Sequence, residues 1–123
     1  VKYFCLVFLI SAFLFSCKKN NGPAAPVVTL TSTSDTAMIS VGDTVLLSGT
    51  ATDDKSLHEL YLTLTDSSGT TPLFTVNPYV HGLKIYYFGY YWITSSAGTY
   101  QFIIEAEDHD NHTTTKTFSI VVH

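Results

Sequence analysis

Tyr100-Gln101-Phe102-Ile103-Ile104-Glu105-Ala106-Glu107 alternates with a period of two: Tyr100, Phe102, Ile104 and Ala106 fall on one side, and Gln101, Ile103, Glu105 and Glu107 on the other. Successive side chains of an extended chain point to opposite faces, so this stretch reads as a strand with one face in a core. The rhythm recurs in both directions. Downstream, residues 114–122 place Phe118, Ile120 and Val122 on one face. Upstream, residues 57–65 alternate Leu60, Leu62 and Leu64 with Glu59, Tyr61, Thr63 and Thr65. Residues 43–52 gather Val45, Leu47, Gly49 and Ala51. Residues 27–33 form the first expected strand, with Met38-Ile39 as a continuation beyond Ser34-Asp35. Residues 72–77 suit a short edge strand, because Pro72 has no N–H for a ladder. Residues 83–93 are the longest run and are apolar on both faces.

Turn formers separate the runs: Asp53-Asp54-Lys55-Ser56, Asp66-Ser67-Ser68-Gly69 and Ser95-Ser96-Ala97-Gly98. Eighteen Thr lie beyond residue 26, and β-branched residues favour strands over helices. No segment carries an apolar stripe at helical spacing. Seven strands with a turn every ten residues or so predict an all-β, immunoglobulin-like Greek-key sandwich over residues 27–123, with a small barrel as the alternative.

Composition narrows the function. Of 123 residues, 46% are hydrophobic and only 13% charged, which excludes disorder along the whole chain. There are six Lys, no Arg and ten carboxylates, for a net charge of −4. Three of the Lys (Lys2, Lys18, Lys19) precede residue 20, so residues 27–123 carry three Lys against ten acids, a balance of −7. Such a surface does not suit phosphate backbones, and nucleic acid is not expected as a partner.

Lys2 precedes an apolar run over residues 3–16, broken only by Ser11 and Ser16. As a helix its fourteen residues would span only about 21 Å, short of the ~30 Å hydrocarbon core, so residues 1–16 read as a signal peptide. Leu14-Phe15-Ser16-Cys17 resembles the lipobox of bacterial lipoproteins, with Phe15 bulkier than usual. Lys18-Lys19-Asn20-Asn21 resembles the tails that follow such cysteines in lipoproteins of the Bacteroidetes type. The resemblance implies that Cys17 is acylated, anchoring the protein to the outer membrane of a bacterial cell envelope. Residues 17–26 are then the acylated cysteine and a linker, in which Gly22, Pro23 and Pro26 prevent packing. Cys5 and Cys17 are the only cysteines, so the domain has no disulfide and no thiolate ligand.

Val41-Gly42-Asp43-Thr44, residues 48–54 (Ser-Gly-Thr-Ala-Thr-Asp-Asp) and Glu105-Ala106-Glu107-Asp108 resemble the phrases of bacterial immunoglobulin-like and cadherin-like domains. His58-Glu59-Leu60, Val80-His81-Gly82 and Glu107-Asp108-His109 resemble an uncharacterised family of small Bacteroidetes-type lipoproteins with one such domain. That likeness implies fold and location and carries no activity.

In a Greek-key sandwich, alternate loops collect at one end. Here they hold or border Asp53, Asp54, His58, His81, Asp108, His109, Asp110 and His112. From this pole His58, His81, Asp108, His109, Asp110 and His112 are candidate ligands, imidazoles for zinc or copper and carboxylates for calcium. The same residue types also form ordinary turns. His58 shares the parity of Leu60, which would cap the core, and Asp108 that of Ala106, which would brace the turn at residues 53–56. In residues 83–93, Tyr86, Phe88, Tyr90 and Trp92 share one face, and Tyr87 and Tyr91 the other. Tyr87 and Tyr91 are either covered by loops or free to stack on a glycan or protein partner.

A catalytic role finds little support. There is no G-x-S-x-G, H-E-x-x-H or phosphate-binding glycine loop. Glu105 and Glu107 lie about 7 Å apart along a strand, a spacing inverting glycosidases use, but no cleft is implied around them. The sequence thus predicts a non-catalytic, lipid-anchored module for binding, adhesion or scaffolding, with a metal-binding lipoprotein as the alternative.

Overall fold

The computed structural model describes residues 22–31 and 38–123; the expected signal peptide and Cys17 lie outside the described residues. Seven strands follow in order: β1 (Val27–Leu30), β2 (Thr44–Thr52), β3 (Leu57–Thr65), β4 (Pro72–Val76), β5 (Ile85–Ile93), β6 (Gly98–Asp108) and β7 (Thr113–Val122). They form two antiparallel sheets, β1-β2-β5 and β4-β3-β6-β7. The alternation in the sequence becomes the two facing layers. Leu47 and Ala51 of β2, Leu60, Leu62 and Leu64 of β3, and Phe102, Ile104 and Ala106 of β6 are fully buried between them.

Aromatic rings join the layers. Trp92 meets Tyr100 edge-on at 4.7 Å between centroids, and Phe88 meets Phe102 at 6.4 Å. Phe88 has room because residue 49 is glycine, where a Cβ would overlap both the Phe88 ring and the Thr29 carbonyl. Tyr100, near the start of β6, donates from its hydroxyl to the Ser96 carbonyl at 2.8 Å, four residues upstream in the turn before the strand. This is the tyrosine corner of immunoglobulin-like sandwiches. Two residues on, where antibody domains place a disulfide cysteine, stands the fully buried Phe102.

One detail departs from the sequence expectation, and one is left open by it. The first run ends as a strand at Leu30, and Ile39 forms a parallel bridge to Val122 of the other sheet rather than prolonging β1. The partner of the short edge strand, which the sequence leaves open, is β3, in the register Leu62↔Val76, Thr63↔Thr75 and Leu64↔Phe74. The cause is local: the Asp66 N–H donates to the Thr71 carbonyl and the Gly69 N–H to the Asp66 carbonyl, with Gly69 at φ 72°, closing a hairpin. β4 is therefore an edge strand, as Pro72 requires, and β5 becomes an edge of its own sheet.

Candidate metal centre

The loops β2–β3, β4–β5 and β6–β7 meet at one pole, tied by backbone bonds. The Asp53 N–H donates to the Lys84 carbonyl at 2.9 Å, Leu57 N–H to Leu83 at 2.7 Å, and Gly82 N–H to Leu57 at 3.0 Å. Three of the five histidines converge here. His58, His81 and His109 each offer a nitrogen, and these atoms all lie within 4.8 Å of one another. Ring centroids are 4.4 Å apart for His81 and His109, 4.8 Å for His58 and His109, and 5.4 Å for His58 and His81.

His58 reaches this cluster through a β-bulge. In the β3–β6 ladder Leu57 pairs with Asp108 and Glu59 with Glu107, so β3 spends one extra residue, His58. The extra residue reverses the alternation at the strand's start. Leu57 is buried, and His58 is half-exposed instead of capping the core beside Leu60. Bulges re-aim side chains in this way at functional sites. The His58 Nδ1 lies 3.6 Å from Glu107 Oε1. A carboxylate beside Nδ1 fixes a ligating imidazole so that Nε2 is left for a metal. His81 and His109 are exposed, with the Tyr79 ring 6.2 Å from His81. Tyr79, Asn77 and Glu59 continue the surface from His58 and His81 into a depression of about 280 Å³.

The remaining candidates form a second group. Asp108, Asp110 and His112 also bring ligand-type atoms within 4.8 Å. Their atoms already serve the chain, however. Asp108 Oδ1 accepts the Asp110 and His112 N–H groups at 2.8 Å, and Oδ2 pairs with His112 Nδ1 at 2.7 Å. Burial pushes the Asp108 carboxyl up, but the hydrogen bonds from His112 and Asp110 together hold it below its ordinary value. Asp110 Oδ2 accepts from the Lys55 ammonium at 2.9 Å, so a cation of the chain already neutralises that carboxylate. Asp108 is thus a turn staple, but of its own β6–β7 turn. The turn at residues 53–56 is braced by Asp53, whose Oδ1 accepts the Lys55 and Ser56 N–H groups at 2.9 and 2.7 Å. The six candidates therefore divide into one group, His58, His81 and His109, whose imidazoles face one another, and one committed to structure.

Tyr87 and Tyr91 are 71% and 76% exposed, on the outer face of β5. Glu105 is exposed on the outer face of β6, while Glu107 turns toward His58. Sequence reasoning did not find Glu107 or Tyr79 as neighbours of the histidines, since both depend on where the bulge and the β4–β5 loop aim.

Two layers of three and four strands, a tyrosine corner and an aromatic inter-sheet core settle the architecture. The fold is an immunoglobulin-like sandwich. Solved structures agree. The sandwich is similar to the CARDB domain of a Pyrococcus furiosus protein, crystallised in complex with di-metal ions, with a TM-score of 0.53 and 10% identity over 82% of this chain and 89% of that one. It is also similar to part of an engineered protein, with a TM-score of 0.53 and 17% identity over 83% of this chain; the chain spans 21% of that protein's length. No protein-family model matches the chain, and no curated protein matches it in sequence.

Proposed function

We propose that this chain is a non-catalytic binding module of the bacterial cell envelope, held to the membrane through lipid on Cys17, whose loop pole takes a divalent transition metal on His58, His81 and His109. The observation that carries the metal reading is the meeting of three imidazoles from three separate segments, the β3 bulge and the β4–β5 and β6–β7 loops, within 4.8 Å of one another. Nitrogen donors without a thiolate suit zinc and copper, whereas calcium asks for six or more oxygens. Zn–N bonds of about 2.0–2.1 Å need only a small closure of exposed rings onto a common centre. Three protein ligands leave a fourth position for water or for an incoming ligand. The metal would order the pole and present that position beside the depression under Tyr79. The lipobox-like Leu14-Phe15-Ser16-Cys17 supports the anchor.

Calorimetric titration with Zn(II), Cu(II) and Ca(II) tests the metal reading. One equivalent of zinc or copper is expected to bind, calcium is not, and His81→Ala or His109→Ala is expected to weaken binding more than about 100-fold. His112→Ala is expected to leave the affinity unchanged. Binding that survives the loss of His81 and His109, or none at millimolar metal, would remove the proposal. For the anchor, Cys17→Ala is expected to move the protein from the membrane fraction to the soluble one.

A further inference from the structure

The outer edge of β5 has no hydrogen-bonded strand neighbour among the described residues. Its sequence, Ile85-Tyr86-Tyr87-Phe88-Gly89-Tyr90-Tyr91-Trp92-Ile93, reads nearly the same in both directions about Gly89. Two copies laid antiparallel with Gly89 on the two-fold axis would set Ile85 against Ile93, Tyr86 against Trp92, Tyr87 against Tyr91 and Phe88 against Tyr90. A two-fold interface must be self-complementary, with residue i meeting j and j meeting i. From this correspondence, we propose that β5 is the edge through which a second copy of this chain docks, joining two three-stranded sheets into one of six.

Three further observations point to the same occupant. The other edges carry the usual guards against strand pairing: β4 has five residues and begins at Pro72, β1 has four, and β7 carries Lys116 and is bridged by Ile39. β5 has nine residues with no proline, charge or bulge. Its outward face is apolar, with Ile85 44% and Ile93 67% exposed beside Tyr87 and Tyr91. Gly89 has no role within the chain. Its φ is not in the left-handed region, its register with Ser48 is regular, and a Cβ there would meet atoms no nearer than 3.8 Å. Interior strand glycine otherwise weakens a strand and marks the close approach of another backbone.

Charge and area define the strength. Residues 27–123 carry three Lys against ten acids, so two copies repel except along a charge-free strip such as β5. A strand of nine residues is ~30 Å long, and a strip ~10 Å deep buries on the order of 600 Å² in total. That is below the ~1,200 Å² of stable complexes, so the dissociation constant is expected at tens to hundreds of micromolar. Added salt is expected to strengthen the dimer by screening the net charge.

The test is sedimentation equilibrium of the chain in EDTA, which removes any metal bridge between exposed histidines. The wild type is expected to dimerise across this range. Tyr87→Lys with Tyr91→Lys sets Lys against Lys twice and is expected to abolish the dimer. Tyr87→Lys with Tyr91→Glu sets Lys against Glu twice and is expected to restore it. A wild type still monomeric at about 1 mM, a dimer that persists in the Lys/Lys variant, or a Lys/Glu variant no better than Lys/Lys would each overturn the pairing about Gly89.

Discussion

At the scale of single residues, the loops are held by carboxylates that accept backbone N–H groups. Asp66 Oδ1 accepts the Ser68 N–H at 3.1 Å and also the Ser68 hydroxyl, and these bonds hold its carboxyl below the ordinary 3.8. Asp53 and Asp108 brace the other two turns in the same manner. A carboxyl lowered in the folded state binds protons more weakly there than in the unfolded chain. Its contribution is therefore fully present above pH 3.8 and is lost as pH falls through the lower folded-state value. Asp66→Asn is expected to lower Tm modestly at neutral pH and to flatten the decline between about pH 5 and about pH 2, measured by circular dichroism in parallel with the wild type. An unchanged acid limb would mean that the Asp66 bonds persist in the unfolded chain. Turn staples of this kind are legible in sequence because an Asp followed within two or three residues by Ser, Asn or another Asp is itself the signal. The imidazole cluster was legible only as a pole, since which rings meet depends on loop paths.

At the scale of elements, the strands were readable wherever one face is buried, because alternation is then enforced by the core. The bulge was present in the sequence too. Leu57 and Leu60 are both fully buried yet three residues apart, a spacing that a period of two cannot satisfy without one extra residue. Parity taken from Leu60 alone sent His58 inward; Leu57 corrects it. The pairing of β4 was not legible, since a five-residue run can complete either sheet and only the hairpin at Asp66–Thr71 decides. Glycines divide the same way. A Cβ on Gly49 would collide with the β1 backbone and with Phe88, whereas one on Gly89 would make only ordinary contacts, with Ser48 at 3.8 Å and Leu46 at 3.9 Å. Gly49→Ala is expected to cost about 2–3 kcal/mol, as overpacked cores do. Gly89→Ala, measured in dilute solution where the chain is monomeric, is expected to be neutral or stabilising by about 0.5 kcal/mol. Urea denaturation of both variants checks the contrast, and equal losses would mean that the close packing of β1, β2 and β5 is not as described.

At the scale of the whole molecule, the question is where the histidine pole stands relative to the membrane. β1 enters the sandwich at that pole: Val27 pairs with Thr52, and the Pro26 carbonyl accepts from the Thr114 hydroxyl at 2.6 Å, beside the β6–β7 loop. Eight residues lie between Cys17 and Pro26, and the nine steps from one to the other, at no more than ~3.6 Å each, reach about 30 Å. An anchor on Cys17 would therefore keep Pro26 within that distance of the headgroups, and with it the pole that Pro26 borders through Thr114. Asp53, Asp54, Asp108 and Asp110 share the pole, with Lys55 as a partial offset, so an anionic leaflet repels it at close range. Repulsion screened over about 8 Å at physiological salt leaves most of the tether's reach usable. The pole should consequently stand off the surface by roughly one screening length rather than touch it. Diethyl pyrocarbonate is expected to modify His81, His109 and His112 more slowly in the lipidated chain on anionic vesicles than in the soluble Cys17→Ala chain, with the gap widening on neutral vesicles, where closer approach no longer meets charge, and with the rate at His123 unchanged. His123 follows β7 at the opposite end of the sandwich and serves as the internal control. Equal rates at all four histidines in both forms would mean that the linker turns the pole away from the bilayer.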